Sequence, residues 1–570
     1  MSLLINFLFP NKELNGEAVA LSQKRDHENS VMKKESKSYL DKQDADSVFG
    51  SDVSYDELKE KLLSGLIKPT TVLKNYQYKA AIAQEKFNCV TEHVIDAEAE
   101  CLALEAKYTN EQEIRKKYPL YGMPISIKET IPIQACRSTR GWAHTYDCVS
   151  NDDALIIKIL KDAGAIPFVT TNVPQSLLTY TCIHPIYGVT KNPFNDKMTC
   201  GGSSGGEASL IGGGGSLLGI GGDVGGSIRI PASYCGISGF KPSHLRITDF
   251  RIQGSVPGRP LINAASGPMA KEVQGLIDVS RVLFDATTTD QLRNIDPYVV
   301  PVKFDEAQFE AKDRTITIGV YKNDGWMEPL PACQRAVELG EELLTKFSET
   351  STSTKYKLVP FAPPNVALAF SLFLTAVALD GGKYLLDLFK KDLIMPEYLF
   401  VLLGFSMPAW VRKTLAFFVR PFSPRAAVLI GAVPATPSEL RKTYAGINAY
   451  RHQYFKAMKD QGIDAVLCPT NVTHAVPHNI PLKLFASLSY TGIFNLLDYP
   501  AGVVPVGNVN KDDIENLEAY DTKDTFGCIA KNAGRNGLGL PLGVQVAAPP
   551  YCEETVLRIL KDIETASKMH

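Results

Sequence analysis

The chain has almost no net charge, few histidines and no long apolar run, and each shortage narrows what it can be. Its 60 Lys and Arg residues face 62 Asp and Glu, a formal net charge of −2. Without a basic surplus no field favours a phosphate backbone, so nucleic acid is not an expected partner. The 11 cysteines are scattered from Cys89 to Cys552, odd in number and without a CxxC pair. That pattern suits neither a disulfide scaffold nor a structural zinc site and fits a reducing compartment. The expectation is an intracellular protein, cytoplasmic or peripherally membrane-associated. Among nine histidines, His474 and His478 have the spacing of a metal pair. No HExxH and no acidic partner pattern accompanies them, so neither a metal nor a cofactor is expected. The apolar stretch Leu3 to Phe9 is short, lacks a basic region before it and stops at Pro10. It reads as a weak membrane foot at most, neither a signal peptide nor a bilayer-crossing helix. Asn471-Val-Thr473 matches a glycosylation sequon but follows the apolar run Ala465 to Cys468. It reads as an accident at the end of a buried strand.

With 570 residues, 45% of them hydrophobic, the chain can bury a large core as one big domain or two. Lys24 to Ser47 is rich in Lys, Asp, Glu and Ser, which predicts a solvated, partly disordered arm. The expected division is an arm over 1–50 and the main domain over 51–570. Ser54-Tyr-Asp-Glu57 is a capping box opening a helix that Gly65 and Pro69 end, and a second helix follows from Thr70 to about Glu85. Pro124 to Ile127 predicts a strand that delivers Lys128 at its end. Asp152 to Asp162 predicts a helix closed by Gly164, and Ile166 to Thr170 the next strand. Further strands are expected over Thr315–Val320, Ala465–Cys468 and Gly543–Ala548, and a last helix from Glu553 to about Ala566. This alternation, without repeats, argues for an α/β fold on one large central mixed β-sheet surrounded by helices.

The most unusual stretch begins at Gly201-Gly-Ser-Ser-Gly-Gly206, continues through Gly212 to Gly215 and reaches Asp223-Val-Gly-Gly-Ser-Ile-Arg229. Such glycine density conflicts with a stable helix or strand. A flexible linker would lack Leu210, Ile211, Leu217, Leu218 and Ile220. A phosphate cradle would need Lys-Ser/Thr at P-loop spacing or G-x-G-x-x-G, and neither is present. An α/β-hydrolase elbow is compatible with Gly202-Ser-Ser204-Gly-Gly206, which satisfies G-x-S-x-G. The fourth reading is a pair of serines held by backbone amides, and amide chemistry favours it. The tetrahedral intermediate needs preorganised donors, which the N–H groups of Val224, Gly225, Gly226 and Ser227 can supply where side chains are absent. A hydroxyl at Ser203 both donates and accepts, so it can pass a proton between a base and Ser227. Lys128, desolvated at a buried strand end, is the candidate base.

These residues resemble the amidase signature family. The run from Gly201 to Pro231, then Gly236-Ile-Ser-Gly-Phe-Lys-Pro242, looks like its signature, and Ser-Ile-Lys128-Glu129 resembles its catalytic lysine motif. The resemblance implies the amidase signature fold and a Ser–cis-Ser–Lys triad of Ser227, Ser203 and Lys128, with a cis Gly202–Ser203 peptide. Asn172-Val-Pro-Gln-Ser176, Gly267-Pro-Met-Ala270, Leu415 to Pro421 and Asp498 to Pro505 resemble the fatty acid amide hydrolase branch rather than the tRNA-amidotransferase subunits. The similarity spans Ser54 to the last helix. It implies a lipid amide substrate, such as an N-acylethanolamine or a primary fatty amide, cleaved to fatty acid and amine. For that branch's membrane enzymes it also implies a homodimer. Two departures stand out: the chain shows no N-terminal transmembrane helix, and Leu177 and Leu178 follow Pro-Gln-Ser176 at the acyl-pocket position. Ser176, Leu177 and Leu178 are the candidate substrate-binding residues, with apolar residues near Phe370 and Phe405 as further channel candidates.

Val366 to Leu379 and Tyr398 to Val411 are apolar but too short to span a bilayer, and Pro408 interrupts the second. Lys390, Lys391, Arg412, Lys413, Arg420 and Arg425 flank them, with Trp410 at the junction. Composition alone suits core helices slightly better than interfacial ones. The resemblance, which implies a membrane-binding cap over about 380–425, reverses that and makes a membrane surface a partner. Asp223 and Arg229 are expected to ion-pair and hold the loop, and Cys235 to be a packed thiol. Three rivals stand beside the fatty amide reading. One is a soluble general amidase for short acyl groups. Another is an esterase using Ser204 with His452 or His474. The last is a non-catalytic lipid-binding scaffold.

Overall fold

Short β-branched runs alternate with helical stretches along the chain, and they build one mixed sheet. The structure, a computed structural model, describes residues 7, 10–42, 53–434, 436–522 and 524–569. Among these, the sheet contains β1 (Val90–His93), β2 (Pro124–Lys128), β3 (Ile166–Thr171), β4 (Leu218–Asp223), β5 (Ser238–Lys241), β6 (Ala265–Ala270), β7 (Arg314–Val320), β8 (Thr354–Pro360), β9 (Ala465–Pro469), β10 (Ala501–Asn508) and β11 (Pro541–Ala547). Their spatial order is β1-β3-β2-β4-β6-β5-β10-β11-β9-β7-β8. The triplets β3-β2-β4 and β9-β7-β8 are parallel, and the strands between them pair antiparallel. Every residue of β2, β3, β9 and β11 is buried. This is why β3, β9 and β11 read as largely apolar runs rather than alternating ones.

The helices used below are α1 (Lys12–Lys42), α2 (Pro69–Phe87), α3 (Gly205–Gly212), α4 (Arg229–Tyr234), α5 (Val366–Val377), α6 (Leu399–Ser406), α7 (Ala409–Val419), α8 (Ser489–Leu496) and α9 (Glu553–Lys568). The expected elements recur within a few residues of their sequence bounds, from the Ser54-capped helix, where Ser54 accepts the Glu57 N–H, to α9. The buried face of α9, with Val556, Leu557, Ile559, Leu560 and Ile563, closes the core over β10.

Three expectations change. The arm expected to be solvated from Lys24 is helix as far as Lys42; residues 43–47, and all of Leu3 to Phe9 except residue 7, lie outside the described residues. Large apolar side chains are scarce in α1, but its polar ones are answered by neighbours. Asn29 Nδ2 donates to Ala81 O at 3.1 Å, Arg25 Nη1 donates to Asn88 Oδ1 at 2.9 Å, and Lys33 meets Glu85 at 2.5 Å. At its start Leu14 and Ala18 pack with Ala143, Ile186, Tyr187 and Leu393. The helix docks by polar complementarity, which composition does not report.

The two apolar segments part company. Val366, Ala369, Phe370, Phe373, Leu374 and Ala376 of α5 are buried, so this run is a core helix. By contrast α6, α7 and the turn after them expose Phe400, Trp410, Phe417, Phe418 and Phe422, each by 65% or more. No single described helix is long and apolar enough to cross a membrane, and α6 with its preceding turn is bent from α7 by 101°. The flanking cations do not all face outward. Arg412 is buried and donates to Ile430 O and Gly381 O, and Arg425 donates to Trp326 O and pairs with Asp524. Lys390 and Lys413 pair with Asp387 and Glu439.

Candidate active site

Because β2 and β4 are parallel neighbours, their last residues reach the same edge of the sheet, where α/β proteins place their sites. Lys128 ends β2 and Asp223 ends β4. Lys128 Nζ lies 2.8 Å from Ser203 Oγ and 3.0 Å from the carbonyl oxygen of Gly222. Ser203 stands two residues before α3, joined to Gly202 by a cis peptide bond. Ser227 lies on the loop from β4 into α4, and Lys128, Ser203 and Ser227 line one cavity. Burial disfavours the ammonium of Lys128 and brings its pKa down to about 8, against the opposing pull of Asp223, Cys182, Glu207 and Glu129. At that value a useful fraction of the amine is free base at neutral pH.

The loop carrying Ser227 is held from beneath. Burial alone would raise the Asp223 carboxyl, but Arg229 overrides it and holds the group well below the usual carboxylate range. The pair is bidentate, Nε to Oδ2 and Nη2 to Oδ1, both at 3.0 Å. Arg229 also donates to Thr491 O, Gln545 Oε1 and Asn495 Oδ1, tying the loop to α8 and β11. This is the positioning role expected for the pair. Gly226 has φ +121°, and a Cβ there would lie 2.4 Å from Thr491 Oγ1, so only glycine fits. One expectation is corrected here. The Gly226 N–H donates to Asp223 Oδ1 at 2.8 Å. A carboxylate that close claims the donor, so Gly226 drops out of the expected set of Val224, Gly225, Gly226 and Ser227.

The cavity has a polar and an apolar branch that share Leu177, Leu178, Val224 and Ser227. Thr130, Asp249, Gln253, Ser255 and Arg259 line the polar branch, of about 90 Å³. Phe373, Leu374, Val377, Phe485 and Leu488 line the apolar one, of about 60 Å³. Leu177 and Leu178 line both branches. Ser176 does not: it is fully buried behind them, with its backbone in the left-handed region at φ 62°, and lines neither branch. Phe370 and Phe405 are displaced too. Phe370 stacks behind Phe373 at 6.3 Å between ring centroids, and Phe405 packs at Gly382 beneath Arg412.

Ser204 fails as a nucleophile by position. It is fully buried, and its hydroxyl accepts the Gly222 N–H at 3.2 Å, away from the cavity. His474 is buried against Gly537 with Nδ1 2.9 Å from Ala475 O, and neither it nor His452 lines the cavity. Cys235 is buried among Cys182, Cys200 and Ile237. Among the described residues no group of three or more His, Cys, Asp or Glu is disposed to hold a metal ion. Phe373 and Leu374 fall near Phe370, where channel candidates were expected; Phe485, Leu488, Thr491 and Arg259 were not foreseen, because they come from distant segments with no shared motif.

The family model described as amidase matches residues 71–557. Fatty acid amide hydrolase 1 of Caenorhabditis elegans is 39% identical over 515 residues, covering 90% of this chain and 88% of that protein. Fatty-acid amide hydrolase 1 of Sus scrofa is 35% identical over 534 residues, covering 92% and 87%. A solved structure of fatty acid amide hydrolase superposes with a TM-score of 0.78 at 23% identity, covering 98% of this chain and 96% of that one.

Proposed function

This chain belongs to the amidase family and hydrolyses amide C–N bonds, and on that basis we propose that it cleaves fatty acid amides through Ser227, Ser203 and Lys128. The observation that carries the chemistry is the 2.8 Å separation of the desolvated Lys128 amine from Ser203 Oγ at the cavity that Ser227 lines. Neutral Lys128 accepts the Ser203 proton as Ser203 takes that of Ser227, and Ser227 Oγ attacks the carbonyl carbon. The oxyanion is received by the amides of Val224, Gly225 and Ser227. Lys128 returns the proton through Ser203 to the amide nitrogen, the C–N bond breaks, and the free amine leaves an acyl-Ser227 ester. Water, deprotonated by the same relay, then releases the carboxylic acid.

The apolar branch supports a long acyl chain. Its walls, Leu177, Leu178, Phe373, Leu374, Val377, Phe485 and Leu488, offer no charged group. The two fatty acid amide hydrolases at 35–39% identity support the same reading. At about 60 Å³ the branch holds only the first carbons of a chain. Phe373, whose ring tip lies 3.0 Å from where a Gly225 Cβ would be, must swing aside for the rest. The exposed aromatics of α6 and α7 supply a surface for docking on a lipid interface, where such a substrate resides. The test compares wild type and Ser227→Ala on a long-chain fatty amide and a short amide, following amine release. Preference for the long chain with an inactive variant is expected; turnover of the short amide alone would make the protein a general amidase.

A further inference from the structure

A groove of about 920 Å³ opens elsewhere on the surface and shares no lining residue with either branch of the nucleophile's cavity. The helices Leu155–Asp162 and Val273–Ala286 contribute most of its lining, with the end of the helix Glu111–Lys117 and the short helix Asp290–Arg293. Its floor is apolar, because Leu155, Ile159, Ala286 and Leu292 belong to a small cluster apart from the main core. Ile295 extends that floor and is 45% exposed, and Tyr298 on the same segment is 78% exposed. Large bare side chains beside a charged rim mark a contact surface.

The walls are cationic, although the chain as a whole carries a net charge of −2. Seven Lys and Arg side chains line the groove against three carboxylates. Four of these cations are answered: Lys59 and Arg281 by Asp278, Lys158 by Asp152, and Lys161 by Glu100 and Asp153. Lys116, Lys117 and Lys303 have no ion-pair partner among the described residues, although Lys117 rests over the Tyr118 ring. Two wall carboxylates, Asp162 and Asp285, also form no ion pair among the described residues. The three free cations are lysines from two separate segments. They are point charges without the guanidinium fork that grips a phosphate, and they suit carboxylates spaced along a chain. A flat anionic bilayer does not follow a groove, and it would be repelled by Asp162 and Asp285. A peptide fits both the concave shape and the mixed signs.

We propose that this groove docks an acidic, amphipathic segment of a partner protein. The segment's apolar side chains settle on the floor between Ile159 and Ile295, and its carboxylates meet Lys116, Lys117 and Lys303. Burial of the floor supplies the affinity, and the cations supply the choice of partner and the speed of encounter. Because the groove and the nucleophile's cavity have no residue in common, the enzyme hydrolyses its amide while the partner is bound.

The experiment follows fluorescence anisotropy of a labelled peptide of about 15 residues, with leucine at helical spacing and glutamate elsewhere, titrated with the full-length enzyme. Saturable binding with a Kd of about 1–100 µM at about 0.1 M salt is expected, weakening as salt rises. Lys116→Glu with Lys303→Glu should weaken it about 10- to 100-fold, and Ile295→Ser several-fold, while amine release by both variants stays at the wild-type rate. Unchanged amine release shows that the variants are folded, so a loss of binding is not a loss of structure. Binding that ignores the lysine reversals overturns the proposal, as does equal binding of a peptide with serine in place of leucine. Inhibition of amine release by the bound peptide overturns it too, because the peptide would then occupy the cavity. Absence of peptide binding, with phosphatidylserine vesicles captured through Lys116 and Lys303 instead, assigns the groove to a lipid surface and overturns the protein partner. None of these outcomes touches the fatty amide reading.

Discussion

Lys128 Nζ and Ser203 Oγ stand 2.8 Å apart although 75 residues separate them in the chain. The contact exists because β2 and β4 run parallel side by side, while α3 leads the glycine-rich segment past their shared end. A lysine in this position is a base only if it is neutral.

With Lys128 at about 8, kcat/KM for a fatty amide should rise through pH 8 and level off above it, because the reactive form is the deprotonated one. Lys128→Ala should lose about 100- to 10,000-fold and lose the limb with it. A profile flat from pH 6 to 10 in wild type would remove Lys128 from the role of base.

Glu207 is buried behind the site, raised to about 7 by burial against hydrogen bonds from Ser126 and Thr171. Once ionised above that pH, it favours the charged form of Lys128. Glu207→Gln should therefore move the kcat/KM limb to lower pH, by a fraction of a unit. A shift in the alkaline direction would contradict the electrostatic account.

The Asp223–Arg229 pair is fully buried, so removing one partner strands the other. Arg229→Met should cost about 3–5 kcal/mol and inactivate the enzyme by releasing the Ser227 loop. Asp223→Asn with Arg229→Met should cost less than the two single changes summed. Thermal or urea midpoints of the four proteins measure this; strict additivity would mean the ions act independently.

Phe373 closes the apolar branch at Gly225. Phe373→Ala should raise activity on long chains relative to short ones, by several-fold in the kcat/KM ratio across a series of acyl lengths. If the ratio moves toward short chains, the ring grips the chain rather than gating it.

The aromatic patch on α6 and α7 predicts binding to lipid vesicles. Trp410→Ser with Phe417→Ser should weaken co-sedimentation with phosphatidylcholine vesicles at least about 10-fold, since each large aromatic contributes about 1.5–3 kcal/mol when buried. Equal sedimentation of variant and wild type would assign the patch to another partner.

Local structure was legible in the order of the residues. Pro124 to Lys128 read as a strand because β-branched Ile125 and Ile127 alternate with Ser126 and Lys128. The serine pair had to sit on irregular backbone because glycine at that density permits nothing regular. Helix and strand types followed from spacing and caps, which depend on neighbours a few residues away. Burial, hydrogen-bond allocation and counter-ions were not legible in that way, because they depend on which distant segments the sheet order brings together. Folding sent apolar α5 into the core while leaving much of α6 exposed, although α6 is as apolar as α5. It docked the charged α1 against α2 through Asn29 and Arg25. It gave the Gly226 amide to Asp223 and drew Ser176 and Ser204 into the interior.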